Sequence, residues 1–212
     1  MSRPRLLLAD DHRLVLEGLE RLLEPEFEVV GAVEDGRALV AAARELNPDV
    51  VLLDVSMPLL NGIDAAHRLR KNCPESKLIF VTMHDVGAYV KAAFLAGGSG
   101  YVLKRSAFRE LTTAIREVLQ GGTYVSPEIS IDPQKLAEQI PHDPELPVGR
   151  LTSRQREVLQ LVAEGRRNKE IANLLGISVK CIEYHRSALA KKLGTHNPAA
   201  LTRYAASVGL IA

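Results

Sequence analysis

The sequence predicts an α/β domain, built on a doubly wound five-stranded parallel sheet, followed by a small all-α domain of four helices. Up to residue 120, short apolar runs alternate with segments of helical period, which is typical of a parallel sheet with crossover helices. Beyond residue 150 only helical periods occur. Between them, residues 124–150 contain five prolines, which no continuous helix or central strand tolerates. We therefore expect domains at residues 1–122 and 150–212, joined by a linker at 123–149.

Five βα units account for the first domain. The runs at 50–53 and elsewhere are apolar at successive positions, as expected of strands that helices cover on both faces. The predicted strands are 5–9, 28–33, 50–54, 78–82 and 100–103, and the predicted helices are 12–24, 36–46, 62–71, 86–96 and 107–120.

Four helices account for the second domain. Thr152 and Ser153 provide a cap before the first apolar period, and Gly176 separates two helices by a tight turn. Two helices joined in this way form a helix-turn-helix, whose second helix enters the major groove of DNA. The predicted helices are 153–164, 168–175, 178–192 and 198–207, with a further short helix at 133–140 in the linker.

Composition and charge restrict the class of protein. The 212 residues are 46% hydrophobic and 25% charged, as in soluble globular proteins, and no apolar run approaches the roughly 20 residues needed to cross a bilayer. The N-terminus shows no export signal, and Cys73 and Cys181 lack disulfide or zinc spacing. We expect a cytoplasmic protein with no membrane partner.

The net charge of +1 conceals a division between the two parts of the chain. Residues 1–149 carry 16 basic and 22 acidic side chains, whereas residues 150–212 carry 11 basic and 4 acidic ones. A basic segment of this size predicts a polyanionic partner, and with the helix-turn-helix that partner is double-stranded DNA.

Polar side chains follow four of the predicted strands. Asp10 and Asp11 follow the first strand, Asp54 ends the third, Thr82 ends the fourth and Lys104 follows the fifth. Ligands of open α/β sheets bind beyond the carboxyl ends of the strands, and in the flavodoxin-like order 2-1-3-4-5 the three carboxylates flank the switch point. Two such charges 4 Å apart repel by about 4 kcal/mol at an effective dielectric of about 20, so a cation is expected, and oxygen ligands suit Mg²⁺. Asp54 could then attack a phosphorus atom and become an aspartyl phosphate, whose oxygens the metal and Lys104 would neutralise.

The first 120 residues resemble the receiver domains of bacterial two-component response regulators. The resemblance rests on Asp10-Asp11, the loop Asp54-Val55-Ser56-Met57-Pro58-Leu59-Leu60-Asn61-Gly62, Thr82, and the run Gly100-Tyr101-Val102-Leu103-Lys104.

The resemblance implies a role for each matched residue. Asp54 would be the phospho-acceptor, and Mg²⁺ would bind to Asp11, Asp54 and the backbone carbonyl of Ser56, with Asp10 helping mainly through water. Thr82 would hydrogen-bond the phosphoryl group, Lys104 would pair with it, and Tyr101 would change rotamer as Thr82 moves. Three positions depart from the family's usual residues: Met83, Gly98 and Arg105. We expect the bulky side chain of Met83 to slow the attack of water on the acyl phosphate.

The longest helix of the second domain has two distinct faces. At 100° per residue, positions 182, 185, 189 and 193 fall on one side, which predicts a face directed to the core. The opposite side is expected to meet DNA bases and backbone through Lys180, Glu183, Tyr184, Ser187 and Lys191. Contacts to phosphate are expected from Arg166, Arg167, Lys169 and Lys192.

This second part resembles the LuxR-type DNA-binding domain, which together with such a receiver defines the NarL/FixJ class. Matching residues include Leu151-Thr152, Arg154, Arg156-Glu157-Val158-Leu159, Gly165, Asn168-Lys169-Glu170-Ile171-Ala172, Leu175, Ser178, His185, Lys192-Leu193 and Leu201, whereas Cys181 and Pro198 depart from the pattern. The class implies phosphorylation by a partner histidine kinase and homodimeric binding to DNA. The dimer contacts would come from Ala200, Leu201, Tyr204 and Ala205 in the last helix. As in many relatives, the unphosphorylated receiver is hypothesised to cover the recognition helix.

Two alternatives belong to other classes. An enzyme working through an aspartyl phosphate, such as a phosphatase or phosphotransferase, would need a second acid–base carboxylate two residues after Asp54, where Ser56 stands. A DNA-binding module with a degenerate, phosphate-independent receiver would have lost acceptor groups that this sequence retains.

Overall fold

The computed structural model describes residues 3–130 and 151–211. Most of the predicted linker, including the helix predicted at 133–140, lies outside these residues. Within them, no helix is both long and apolar enough to span a membrane.

The N-terminal domain contains a parallel sheet in the order β2-β1-β3-β4-β5-β6. The predicted doubly wound order is therefore confirmed, with a sixth strand added at the edge. The strands are β1 Arg5–Ala9, β2 Glu28–Val33, β3 Val50–Leu53, β4 Lys77–Thr82, β5 Gly100–Leu103 and β6 Tyr124–Val125.

The sixth strand corrects the predicted start of the linker. Tyr124 donates its backbone N–H to the carbonyl of Ser99, Ser126 donates to that of Tyr101, and Ile129 is buried in the core of the domain. The prolines that follow concealed this strand, because a two-residue strand carries no periodic signal of its own.

Five helices cover the two faces of the sheet, and their bounds lie within two residues of those predicted. Alternate residues of β1 explain why both faces are apolar. Leu7 joins a core with residues of α2, α3 and α4, whereas Leu6 and Leu8 join a second core with α1 and α5. The helices are α1 Arg13–Leu23, α2 Gly36–Leu46, α3 Gly62–Asn72, α4 Gly87–Leu95 and α5 Ala107–Leu119.

The C-terminal domain forms the four predicted helices. Thr152 caps the first of them in a capping box with Gln155, and Gly176, at φ 63°, ends the second helix in the left-handed conformation. Ser178 then caps the third helix by accepting the N–H of Cys181, which completes the helix-turn-helix. The bounds are α6 Ser153–Ala163, α7 Asn168–Leu175, α8 Val179–Leu193 and α9 Pro198–Ser207.

Candidate functional site

The carboxyl ends of β1, β3 and β5 bring three charged side chains together. The Nζ of Lys104 lies 2.7 Å from Asp10 Oδ2 and 2.7 Å from Asp54 Oδ2. Both carboxylates are buried, and Asp54 Oδ1 accepts the backbone N–H of Val55 at 2.6 Å. Parallel strands deliver their C-terminal ends to one edge, which is why residues so far apart in sequence converge.

The pKa values of the cluster follow from burial and charge. Burial raises the pKa of Asp10, because removal from water penalises the carboxylate, and the hydrogen bonds from Lys104 and His12 oppose this rise without cancelling it. Burial also acts to lower the pKa of Lys104, but attraction to Asp54 and hydrogen bonds to both carboxylates outweigh it, and the net pKa is raised. The ammonium therefore stays charged and partly offsets the repulsion between the two aspartates.

Asp11 lies beside this pair, closer to solvent. His12, which immediately follows it in sequence, places Nδ1 2.8 Å from Asp11 Oδ1 and 3.2 Å from Asp10 Oδ1. Asp10, Asp11 and His12 each offer a ligand atom within 4.8 Å of the others, an arrangement that could hold a metal ion. The sequence prediction missed His12, although its position next to the acidic pair was the available signal.

Thr82, the last residue of β4, and Tyr101 of β5 are both fully buried. The Tyr101 hydroxyl donates to the backbone carbonyl of His84 at 2.8 Å, and the Tyr101 ring stacks on Phe80 with centroids 6.2 Å apart. Burial, followed by the nearby charge of Asp54, raises the pKa of Tyr101, so its hydroxyl remains a donor.

His84 is a second residue that the sequence prediction missed. Its Nε2 lies 2.9 Å from Ser56 Oγ, and its ring stacks on Tyr89 with centroids 4.3 Å apart. Met83, which follows Thr82, is 63% exposed. The slower attack of water on the acyl phosphate that we expect from Met83 stays a prediction.

The polar face of α8 is exposed to solvent, as the sequence predicts for the side opposite its core-facing positions. Tyr184 is 72% exposed, whereas Ile182 and Leu189 on the opposite face are buried in the core of the domain. Lys192 is exposed and donates its Nζ to Gln155 Oε1 at 2.9 Å. The other residues predicted to contact DNA are also exposed: Arg166, Arg167, Lys169, Lys180, Glu183, Ser187 and Lys191.

The structure corrects two of the predicted dimer residues. Leu201 and Ala205 are buried in the core of the C-terminal domain, where α9 packs against α6, and they are not available to a partner. Tyr204 is partly buried against the same core, and Ala200 is partly exposed. The four-residue spacing of 201 and 205 is the ordinary spacing of an inward helix face.

The structure also corrects the hypothesis that the N-terminal domain covers the recognition helix. In this arrangement the polar face of α8 is exposed, and the N-terminal domain contacts α6 instead. The domains meet through α3 and the loop before it, and further contacts join Arg37 of α2 to the backbone carbonyl of Leu174 in α7 and Tyr89 of α4 to the backbone at Gly209.

Two family matches cover most of the chain. Residues 6–116 match the family described as response regulator receiver domain, and residues 149–205 match the family described as bacterial regulatory proteins, luxR family.

Relatives and solved structures of similar length agree with these matches. The chain is 38% identical over 211 residues to the transcriptional regulatory protein MctR of Rhizobium johnstonii, covering 98% of this chain and 95% of MctR. It is similar to the RcsB response regulator of Salmonella typhimurium, at 33% identity and a TM-score of 0.65, covering 98% and 99% of the two chains. A structure of an RcsB–DNA complex is similar at 31% identity and a TM-score of 0.58, covering 98% of this chain and 100% of RcsB.

A receiver domain and a LuxR-type domain account for nearly all of the described residues, and the relatives that match over the full length are transcription regulators rather than enzymes of metabolism. The chain belongs to the NarL/FixJ class of two-component response regulators, in which a receiver domain controls a LuxR-type DNA-binding domain.

Proposed function

We propose that phosphorylation of Asp54 by a partner histidine kinase controls the binding of this protein to specific DNA sites. The observation that carries the proposal is the position of Lys104, whose ammonium contacts both Asp10 and Asp54 at the end of the sheet. An ammonium so placed can neutralise one oxygen of the incoming phosphoryl group while the carboxylate of Asp54 attacks the phosphorus atom.

The residues present fit a Mg²⁺ ion. The acidic group supplies hard oxygen ligands at its solvent side, and a single ammonium balances only part of its negative charge. Asp11, Asp54 and the backbone carbonyl of Ser56 would hold the ion, with Asp10 contributing through water. When bound, the ion would supply positive charge to the transferring phosphoryl oxygens.

The chain's own residues perform the remaining steps. Asp54 provides the attacking oxygen, Lys104 stabilises the charge that develops on the phosphoryl group, and the Thr82 hydroxyl hydrogen-bonds the transferred group. Movement of Thr82 is transmitted to Tyr101, which is anchored to the carbonyl of His84 and therefore reports on the β4–α4 loop. The partner kinase supplies the phosphoryl group as a phosphohistidine, whose P–N bond breaks as the Asp54 oxygen bonds to phosphorus, so that the imidazole of the kinase is the leaving group.

DNA is bound through the exposed face of α8, in which Glu183 accepts from cytosine and Tyr184 contacts a thymine methyl or phosphate. Lys169, Lys180, Lys191 and Lys192 supply sequence-independent attraction to phosphates. A homodimer on paired half-sites would use the outward face of α9 near Tyr204. Action on chromosomal DNA places the protein in the cytoplasm.

Intact mass spectrometry tests the phospho-acceptor. Wild type and Asp54→Asn are incubated with acetyl phosphate and Mg²⁺, and we expect a stable gain of about 80 Da, one phosphoryl group, on wild type alone. Turnover of acetyl phosphate without accumulation would favour the enzyme alternative. No reaction at all would favour the phosphate-independent receiver.

A further inference from the structure

His12 occupies the N-cap position of α1, but its side chain does not cap the helix. The imidazole makes no hydrogen bond to the backbone of the first turn, and asparagine, aspartate, serine and threonine are the residues that stabilise this position best. The ring lies instead beside the two acidic residues that precede it, with Nδ1 3.2 Å from Asp10 Oδ1 and 2.8 Å from Asp11 Oδ1. The side chain is therefore directed to the acidic cluster and not to the helix.

Asp10 already has a partner on each carboxylate oxygen. The backbone N–H of His12 donates to Asp10 Oδ1 at 2.9 Å, and Lys104 Nζ lies 2.7 Å from Asp10 Oδ2. Asp10 is also 2% exposed. These contacts hold Asp10 in place and agree with the proposal that it would reach a metal ion only through water.

Asp11 Oδ1, in contrast, is a buried oxygen that lacks a hydrogen bond. It accepts none from any described residue. His12 Nδ1 is only 2.8 Å away, but the two atoms are not aligned for a hydrogen bond. A buried polar atom without a hydrogen bond is costly, and in native proteins it often marks an ordered water or an ion. Asp11 Oδ1 and His12 Nδ1 thus have the arrangement of two atoms that share a third partner.

The distances between these atoms suit neighbouring ligands of one metal ion. Bonds of about 2.1 Å at right angles, as in an octahedral site, place adjacent ligand atoms about 3.0 Å apart. The separations of His12 Nδ1 from the two carboxylate oxygens, 3.2 and 2.8 Å, lie on either side of this value. An ion held by Asp11 would therefore have an imidazole nitrogen within reach.

The imidazole approaches the acidic cluster from the solvent side. The His12 side chain is 63% exposed and that of Asp11 is 29% exposed. A cavity of about 120 Å³ borders Asp11 and Ser56, the residue whose backbone carbonyl is a proposed ligand. The place next to Asp11 thus has both room for an ion and access from water.

We infer that His12 supplies a nitrogen ligand that shifts the metal preference of the phosphorylation site from Mg²⁺ toward divalent transition ions such as Fe²⁺ and Zn²⁺. The inference rests on the proposed function, which places a divalent ion at Asp11 and Asp54. Mg²⁺ prefers oxygen ligands and keeps several waters, so it gains little from an imidazole. Transition ions bind imidazole well and gain an additional protein ligand. His12 thereby makes the phosphorylation site responsive to the supply of transition ions.

A purely structural role of His12 has a different consequence. If the imidazole only holds the two carboxylates in position, its loss weakens the binding of every divalent ion by a similar factor. If the imidazole is a ligand, its loss weakens the binding of a transition ion and leaves Mg²⁺ nearly unaffected. The ratio of the two dissociation constants separates these roles.

The test measures the dissociation constants of Co²⁺ and Mg²⁺ by isothermal titration calorimetry at pH 7.5, on the full chain without a polyhistidine tag. Co²⁺ is the probe because, unlike Zn²⁺, it absorbs visible light, and its absorption bands respond to replacement of a nitrogen ligand by oxygen. Wild type is compared with His12→Ala and with Asp11→Asn, which shows whether the ion lies at the acidic cluster. The matched control is His196→Ala, which removes an exposed imidazole from the DNA-binding domain.

We expect His12→Ala to weaken Co²⁺ binding at least about tenfold and Mg²⁺ binding less than about threefold, and to change the absorption bands of bound Co²⁺. His196→Ala should keep the wild-type ratio of dissociation constants, and Asp11→Asn should weaken both ions. The inference is overturned if His12→Ala keeps the wild-type ratio, or if His196→Ala changes the ratio as much as His12→Ala does. If wild type binds neither ion, or if Asp11→Asn binds both as tightly as wild type, the metal site of the proposed function fails, and the inference fails with it.

Discussion

Replacing Lys104 by methionine removes the ammonium between Asp10 and Asp54 while keeping an unbranched apolar side chain. The two carboxylate oxygens each lie 2.7 Å from Nζ, so they are at most about 5.4 Å apart, twice that distance. Two unit charges about 5 Å apart repel by about 3 kcal/mol at an effective dielectric of about 20. Loss of one partner of a buried ion pair typically costs about 3–5 kcal/mol. We expect Lys104→Met to lower the free energy of unfolding of the receiver by about 3 kcal/mol at pH 7.5 in EDTA.

The loss should depend on pH and on Mg²⁺. A carboxyl group whose pKa is higher in the folded than in the unfolded protein binds its proton more tightly when folded, so acid favours the folded state. The pKa of Asp10 is already raised, chiefly by burial, and removal of Lys104 raises it further. The stability difference between wild type and Lys104→Met should therefore shrink as the pH falls toward about 5, and saturating Mg²⁺ should shrink it at pH 7.5.

Urea unfolding followed by far-ultraviolet circular dichroism measures the difference, and hydrogen exchange of β1 and β3 assigns it to the receiver. Lys71→Met is the control, because Lys71 is exposed at the end of α3 and its loss should cost less than about 1 kcal/mol. A Lys104→Met protein within 0.5 kcal/mol of wild type at pH 7.5, roughly the scatter of an ordinary surface substitution, would refute the electrostatic reasoning.

Three further predictions concern the fold and the proposed DNA-binding face of α8. Gly62→Ala should lower the free energy of unfolding of the receiver in urea by about 3 kcal/mol or more, because the added Cβ would lie 1.9 Å from the backbone carbonyl oxygen of Asp54. In the control Gly18→Ala the added Cβ meets only an ordinary contact, and this substitution should stabilise the receiver by about 0.5–1 kcal/mol. Equal effects of the two substitutions would contradict this prediction. Tyr101→Phe should cost about 1 kcal/mol in the same assay by removing the 2.8 Å hydrogen bond to His84, and an unchanged stability would show that this bond contributes nothing. Lys180→Ala should weaken DNA binding and reduce the slope of log affinity against log salt by about 0.9, and an unchanged slope would remove Lys180 from the phosphate contacts.

The sheet and the acidic cluster were predictable because both depend on local patterns. Apolar runs of four to six residues identify the strands, and the residue after each strand falls at the same edge of a parallel sheet. Asp10, Asp54 and Lys104 could therefore be placed together from sequence.

What could not be predicted depends on contacts between distant segments. Asp64 and Arg156 are 92 residues apart in the sequence, and no local sequence pattern around either residue indicates that the two form an ion pair. The edge strand β6 spans two residues and has no period. The burial of Leu201 and Ala205 is different, since their helical spacing with Val208 was an available signal that the family resemblance overrode.

Fluorescence anisotropy with a selected DNA site measures directly whether phosphorylation of Asp54 controls DNA binding. Wild type and Asp54→Asn are titrated onto labelled DNA before and after treatment with acetyl phosphate and Mg²⁺, with occupancy of Asp54 checked by mass. We expect phosphorylated wild type to bind the DNA at least about fivefold more tightly than untreated wild type, and we expect no response from Asp54→Asn. Equal affinity of fully phosphorylated and unphosphorylated wild type would contradict it.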